Sequence, residues 1–130
     1  MVSFLQSDAP MTGLRILLVE DNFLIATLIK HLLTAWGCEV VGPVPSLQEG
    51  KKLADDERLS GAILDINIVG GSSAPIADTL KSRGCPFFFI TGYGSPHGLP
   101  EKLNSTLRLK KPIDEAALEA AMKREFLGHS

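Results

Sequence analysis

Long apolar runs, a surplus of one charge sign and a cysteine framework are all missing from this chain. No uninterrupted apolar stretch approaches the roughly 20 residues that a membrane-spanning helix needs, so we expect no membrane span. The net charge of -2 leaves no broad basic field for nucleic acid. Two cysteines, Cys38 and Cys85, cannot make a disulfide network. Each stands at the entrance to an apolar run, and both read as buried thiols in a reducing compartment, which puts the protein in the cytoplasm. Residues 1–12 lack the basic start and long apolar centre of a secretory signal. They read as a loosely ordered leader, with Met11 as a candidate alternative start and the domain proper at 13–130. There is no internal repeat and no low-complexity segment.

What remains is a chain of 130 residues, 45% hydrophobic, suited to one domain with one core. Short apolar runs alternate with helical patterns. The run Arg15–Val19 has no polar alternation, as expected of a strand covered on both faces. Residues 22–36 follow as a helix, with Leu24, Leu28 and Leu32 widened by Ile25 and Ile29 into a core-facing stripe. Gly37 stops it. Glu39–Val44 is the second strand, and Ser46 with Glu49 has capping-box spacing ahead of a helix over Leu47–Asp56. Gly61–Asp65 is the third strand. Pro75 and Gly84 frame a helix over 75–83, and Phe87–Thr91 is the fourth strand. A short helix near 101–105, a fifth strand over 107–111 and a final helix over Glu115–Phe126 capped by Asp114 complete the pattern. Five βα units without a long linker predict an α/β fold, a doubly wound parallel sheet with helices on both faces. Ligands on such sheets bind beyond the carboxyl ends of the strands.

At those ends stand the residues with chemistry. Glu20 and Asp21 follow the first strand, Asp65 ends the third, Thr91 the fourth and Lys111 the fifth. If the first and third strands are neighbours, three carboxylates converge, and like charges resist joint ionisation. A hard divalent cation relieves that cost, and magnesium takes one or two carboxylates plus waters and phosphate oxygens. Asp21 and Asp65 are the expected direct ligands, Glu20 acts through a water, and the backbone carbonyl of Asn67 supplies a further oxygen. Asp65 is the candidate nucleophile, able to form an aspartyl phosphate. Magnesium, Lys111 and Thr91 would neutralise the phosphoryl charge from three directions. Lys111 precedes Pro112, a candidate cis bond, and Lys110 should point to the opposite face.

The acidic pair E-D, the acceptor in L-D-I-N, the threonine in F-I-T-G and the lysine in K-K-P stand in an order that resembles the CheY-like receiver domains of two-component response regulators. The resemblance runs from about Leu14 to Phe126. It implies a flavodoxin-like (βα)5 sheet ordered 2-1-3-4-5, with phosphorylation of Asp65 by a phosphohistidine. The donor would be a sensor histidine kinase or a histidine phosphotransfer protein, and the receiver a monomer or weak homodimer rather than a turnover enzyme. Residues 86–94, P-F-F-F-I-T-G-Y-G, resemble the stand-alone FAT GUY group, several of which serve general stress-response phosphorelays, with Ile90 in place of that signature's alanine. The chain departs from typical receivers twice. Arg108 stands where an aromatic switch residue is usual, and Ile68-Val69-Gly70-Gly71 replaces a methionine-proline step.

Other residues carry weaker readings. Tyr93, between Gly92 and Gly94, is placed to cover the phosphorylated site or to pack its loop. His31, His97 and His129 lack the spacing of a metal site or triad. Trp36 reads as packing at the end of the first helix, and Phe23 or Leu24, if exposed there, as a partner contact. Only 127–130 follow the last helix, so we expect no output domain and a signal carried by protein contact or phosphotransfer. A hydrolase of the haloacid-dehalogenase type would want Asp-x-Asp, but Asn67 occupies the second place. A nucleotide or flavin module would want a glycine-rich first turn, where Glu20-Asp21-Asn22 stands instead. A phosphorylation-independent protein-binding module on the same fold is the alternative reading.

Overall fold

The computed structural model describes residues 10–92 and 99–127. Its elements are β1 (Arg15–Val19), α1 (Phe23–Ala35), β2 (Glu39–Val44), α2 (Leu47–Asp56), β3 (Gly61–Asp65), β4 (Asn67–Ile68), β5 (Gly71–Ser72), α3 (Ala74–Ser82), β6 (Phe87–Thr91), a 3-10 turn (Glu101–Leu103), β7 (Arg108–Lys110) and α4 (Glu115–Phe126). Five strands form one sheet in the order β2-β1-β3-β6-β7, all pairings parallel. This is the expected 2-1-3-4-5 order. Only the numbering differs, because the small antiparallel hairpin β4–β5 intervenes in the chain.

The strand residues alternate between two cores because successive side chains leave opposite faces. Ile16, Leu18, Ile63, Phe88 and Ile90 pack with Ile29 and Leu33 of α1 and Leu118, Met122 and Phe126 of α4. Leu17, Val19, Ala62, Leu64 and Phe89 pack with Ala54 of α2 and Ile76, Ala77 and Leu80 of α3. Each fully buried aliphatic side chain contributes roughly 1.5–3 kcal/mol relative to exposure. Two glycines are required by this packing. A Cβ on Gly50 would lie 2.6 Å from Ile76 Cδ1, where α2 meets α3, and one on Gly61 would lie 2.5 Å from the Phe126 ring. Met11 is buried in the α1/α4 core, so the packed domain takes in residues ahead of Gly13.

Three local expectations need correction. Leu24 and Leu28 do not face the core. Ala26, Ile29 and Leu33 do, while Phe23 and Leu24 are 79% and 76% exposed. The helix expected at 101–105 is only the three-residue 3-10 turn, entered from Pro100. The third helix starts at Ala74, one residue earlier than expected, with Pro75 in its first turn. Other expectations hold. Ser46 and Asp114 cap their helices by accepting the N–H of Glu49 and Ala117, whereas Asn22, expected as the first helical residue, is instead the cap that accepts the N–H of Ile25. Lys111–Pro112 is cis, as is Gly42–Pro43. Cys38 and Cys85 are free and buried. Burial pushes the Cys38 thiol up to about 11, and it raises Cys85 against the opposing charge of Arg83. Neither is a reactive thiolate at neutral pH. No helix among the described residues is long and apolar enough to cross a membrane.

Candidate functional site

The parallel register carries the chain ends of β1, β3 and β6 to one side of the sheet. Val19 pairs with Leu64, and Asp65 with Ile90, so Glu20, Asp65 and Thr91 emerge at nearly the same level. Glu20 is 2% and Asp65 5% exposed, whereas Asp21 is open to solvent. Oxygens of Glu20, Asp21 and Asp65 lie within 4.8 Å of one another, a set able to hold a metal ion. The backbone N–H of Lys111 donates to the carbonyl of Thr91 at 2.8 Å, which continues the β6–β7 pairing past Lys110. Its ammonium turns back over the sheet end. Lys111 Nζ donates to Asp65 Oδ2 at 3.1 Å and lies 2.8 Å from Glu20 Oε1.

These contacts set the electrostatics. Burial, then the charge of Glu20 and a hydrogen bond shared with it, push Asp65 up from 3.8 to about 7 against the opposing pull of Lys111. Burial alone would lower Lys111, but Glu20 and Asp65 outweigh it and the net shift is upward. The ammonium therefore stays charged at neutral pH. Glu20 Oε2 accepts the N–H of Asn22 at 2.9 Å. Its Oε1 is buried and forms a 2.8 Å ion pair with the Lys111 ammonium. One ammonium thus faces two buried carboxylates and a third at the rim.

No protein-family model matches the chain. Known proteins do. The chain is 31% identical over 112 residues to the phyllosphere-induced regulator PhyR of Methylorubrum extorquens, a match covering 84% of this chain and 42% of that protein. It spans about half the length of the curated relatives it matches. The solution structure of SdrG from Sphingomonas melonis Fr1 superimposes with a TM-score of 0.74 at 32% identity, covering 86% of this chain and 94% of that one. A CheY-like response regulator receiver domain protein from Methanospirillum hungatei JF-1 gives a TM-score of 0.75 at 26% identity, with coverage of 87% and 93%. The chain belongs to the response regulator receiver family.

In this receiver the fold brings together Glu20, Asp21, Asp65 and Lys111, with Thr91 buried at the end of the strand next to Asp65. Asn67 opens the hairpin two residues past Asp65, paired with Ser72. Sequence reasoning missed that hairpin. Val69 N–H donates to the Pro45 carbonyl, and the Leu47 N–H donates to the Val69 carbonyl, so the segment after Asp65 is tied to the β2–α2 loop. Two-residue strands leave no periodicity to read. It also missed the pairing of Glu20 with Lys111, for which the only signal was the position of Glu20 directly after a wholly buried strand. Arg108 Nη2 donates to Asn104 Oδ1 at 3.2 Å, and its Nε is buried without a partner. His31 is exposed on α1. Tyr93, His97 and His129 lie outside the described residues.

Proposed function

We propose that this receiver accepts a phosphoryl group on Asp65 from a phosphohistidine and passes the signal on by phosphotransfer or by protein contact. The observation that carries the reading is the shared ammonium: Lys111 Nζ sits at 3.1 Å from Asp65 and 2.8 Å from Glu20, beside a third carboxylate. An Asp65 oxygen attacks phosphorus, the P–N bond to the donor imidazole breaks, and the imidazole nitrogen keeps the electron pair. Asp65 must be ionised to attack, and its raised pKa leaves it only partly so near pH 7. Lys111 follows the incoming oxygens, while Glu20, fixed by the Asn22 N–H, keeps that ammonium aimed across the site. The Thr91 hydroxyl, at the end of the strand beside Asp65, donates to a phosphoryl oxygen in this reading.

The residues fit magnesium. Three carboxylates whose oxygens lie within 4.8 Å of one another face one ammonium, so the set keeps an excess of negative charge. Asp21, Asp65 and the Asn67 carbonyl would hold the ion directly and Glu20 through a water. Bound there, magnesium supplies the positive charge that lets Asp65 ionise and that offsets phosphoryl charge.

The donor in this reading is a sensor histidine kinase or a histidine phosphotransfer protein met in the cytoplasm. The exposed Phe23 and Leu24 at the start of α1 are the contact candidates. Receiver domains are regulators rather than turnover enzymes, and the run P-F-F-F-I-T-G-Y-G at 86–94 supports a place beside the FAT GUY group. The test is mass spectrometry after incubation with a small phosphodonor and magnesium. The wild-type chain should gain one phosphoryl group and Asp65→Asn none. A wild-type chain that gains nothing, or a variant that gains as much, refutes the reading. Steady phosphate release from many substrates would point to a hydrolase.

A further inference from the structure

The acids occupy one end of the sheet. At the other end, where β6 and β7 begin, lies a cavity of about 500 Å³, a size common among small-molecule sites. Residues from the last turns of α3 and α4, the turn into β6 and the lead-in to β7 line it. It borders the end of the β6–β7 connection, whose described part holds only one 3-10 turn. We propose that this cavity binds a small carboxylate carrying an apolar body.

The lining divides by chemistry. Half-buried Phe87 and Leu107 offer apolar surface. Lys81 and Arg124 bring two cations, and Thr106 a hydroxyl. Among the described residues Lys81 has no ion-pair or hydrogen-bond partner, nor does the Thr106 hydroxyl. Arg124 faces Glu125 through Nε at 3.3 Å, an exposed pair of little strength. Among the described residues its two Nη groups have no partner. Glu125 is the single acid in the lining, so two cations outweigh it by one charge. A planar carboxylate matches a guanidinium edge and an ammonium together. A cationic ligand would meet two like charges, and a wholly apolar one would bury the cations unpaired. β6 runs from Phe87 in this cavity to Thr91 at the far end, about 13 Å by strand rise, so occupancy here does not compete with the acidic cluster.

The test is a heteronuclear NMR titration of the whole chain with benzoate, and with benzamide as the uncharged isostere. Benzoate should shift the amides of Gly84, Phe87, Thr106 and Leu107 saturably, with half-saturation on the order of 1–10 mM. Benzamide should bind several-fold more weakly. The double variant Lys81→Gln/Arg124→Gln, whose positions are exposed, should weaken benzoate by about tenfold. Asp65→Asn should bind benzoate as wild type does, which separates this site from phosphoryl uptake. The proposal is overturned by any of four results: no saturable shift, equal binding of benzamide, full affinity in the double variant, or shifts centred on Glu20, Asp65 and Lys111.

Discussion

Both ends of the sheet gather acids around one cation, yet they differ in who bears the cost. At the amino ends, Arg15 of β1 reaches Glu39 of β2 and Glu57 beyond α2, and its Nε donates to the Arg58 carbonyl at 2.7 Å. The Glu39 and Glu57 side chains are 63% and 38% exposed, so water screens them and the cluster acts as a staple across three segments. At the carboxyl ends the cation is Lys111, and two of its acids are almost wholly buried. There the imbalance is kept inside the protein and shows as the raised pKa of Asp65. That excess of negative charge is what a bound divalent cation would relieve. The difference is therefore between a cluster that fastens and a cluster that keeps unbalanced charge inside the protein.

Removing each cation should expose this contrast most strongly. Lys111→Met leaves Glu20 and Asp65 buried without a counter-charge, and should cost about 3–5 kcal/mol at pH 8 by urea unfolding without metal. The cost should shrink toward pH 5, where Asp65 takes up a proton. Next in size is Asp65→Asn. Between pH 4 and pH 7 the folded chain holds a proton on Asp65 that the unfolded chain has released. Stability without metal therefore falls as pH rises through that window. The variant should be more stable than wild type by on the order of 2–4 kcal/mol at pH 8, with the gap closing near pH 4. Magnesium at saturating concentration should narrow the gap at pH 8 by stabilising wild type alone. A gap independent of pH would mean that Asp65 carries no such strain.

The amino-end staple should respond far less. Arg15→Met frees two acids that are already largely hydrated, so we expect a loss of about 1 kcal/mol by the same unfolding measurement. Added salt should reduce that difference and leave the Lys111→Met loss nearly intact, because buried charges are screened little. Equal losses for the two variants would remove the distinction between the ends.

Much of this was legible in the sequence, and the exceptions have physical causes. β1, β3 and β6 were readable because strands covered on both faces carry unbroken apolar runs, and the charged and hydroxylated residues stand directly at their ends. The burial of Glu20 against Lys111 was not readable, since it depends on how β7 lies across β6. The β4–β5 hairpin was hidden because its bonds to Pro45 and Leu47 are tertiary. On α1 the failure was one of excess. Apolar residues at 23–26, 28, 29, 32 and 33 supply two stripes of nearly equal quality. Periodicity favoured the Leu24–Leu28–Leu32 stripe, and packing against Ile16, Leu18 and Ile63 selected Ile29 and Leu33.

That ambiguity gives the smallest expected effect. Leu24 begins the rejected stripe, and its side chain is exposed and outside either core. Leu24→Ala removes no buried contact, and alanine favours the helix slightly. Stability should change by less than about 0.5 kcal/mol in urea unfolding. Phosphoryl uptake from a small donor should also be unchanged, since Asp65, Glu20 and Lys111 keep their contacts. Uptake from a phosphohistidine protein should fall only if that partner rests on this face of α1, so the ratio of the two rates isolates docking from chemistry. A large stability loss would instead place Leu24 in the core and restore the stripe that periodicity favoured.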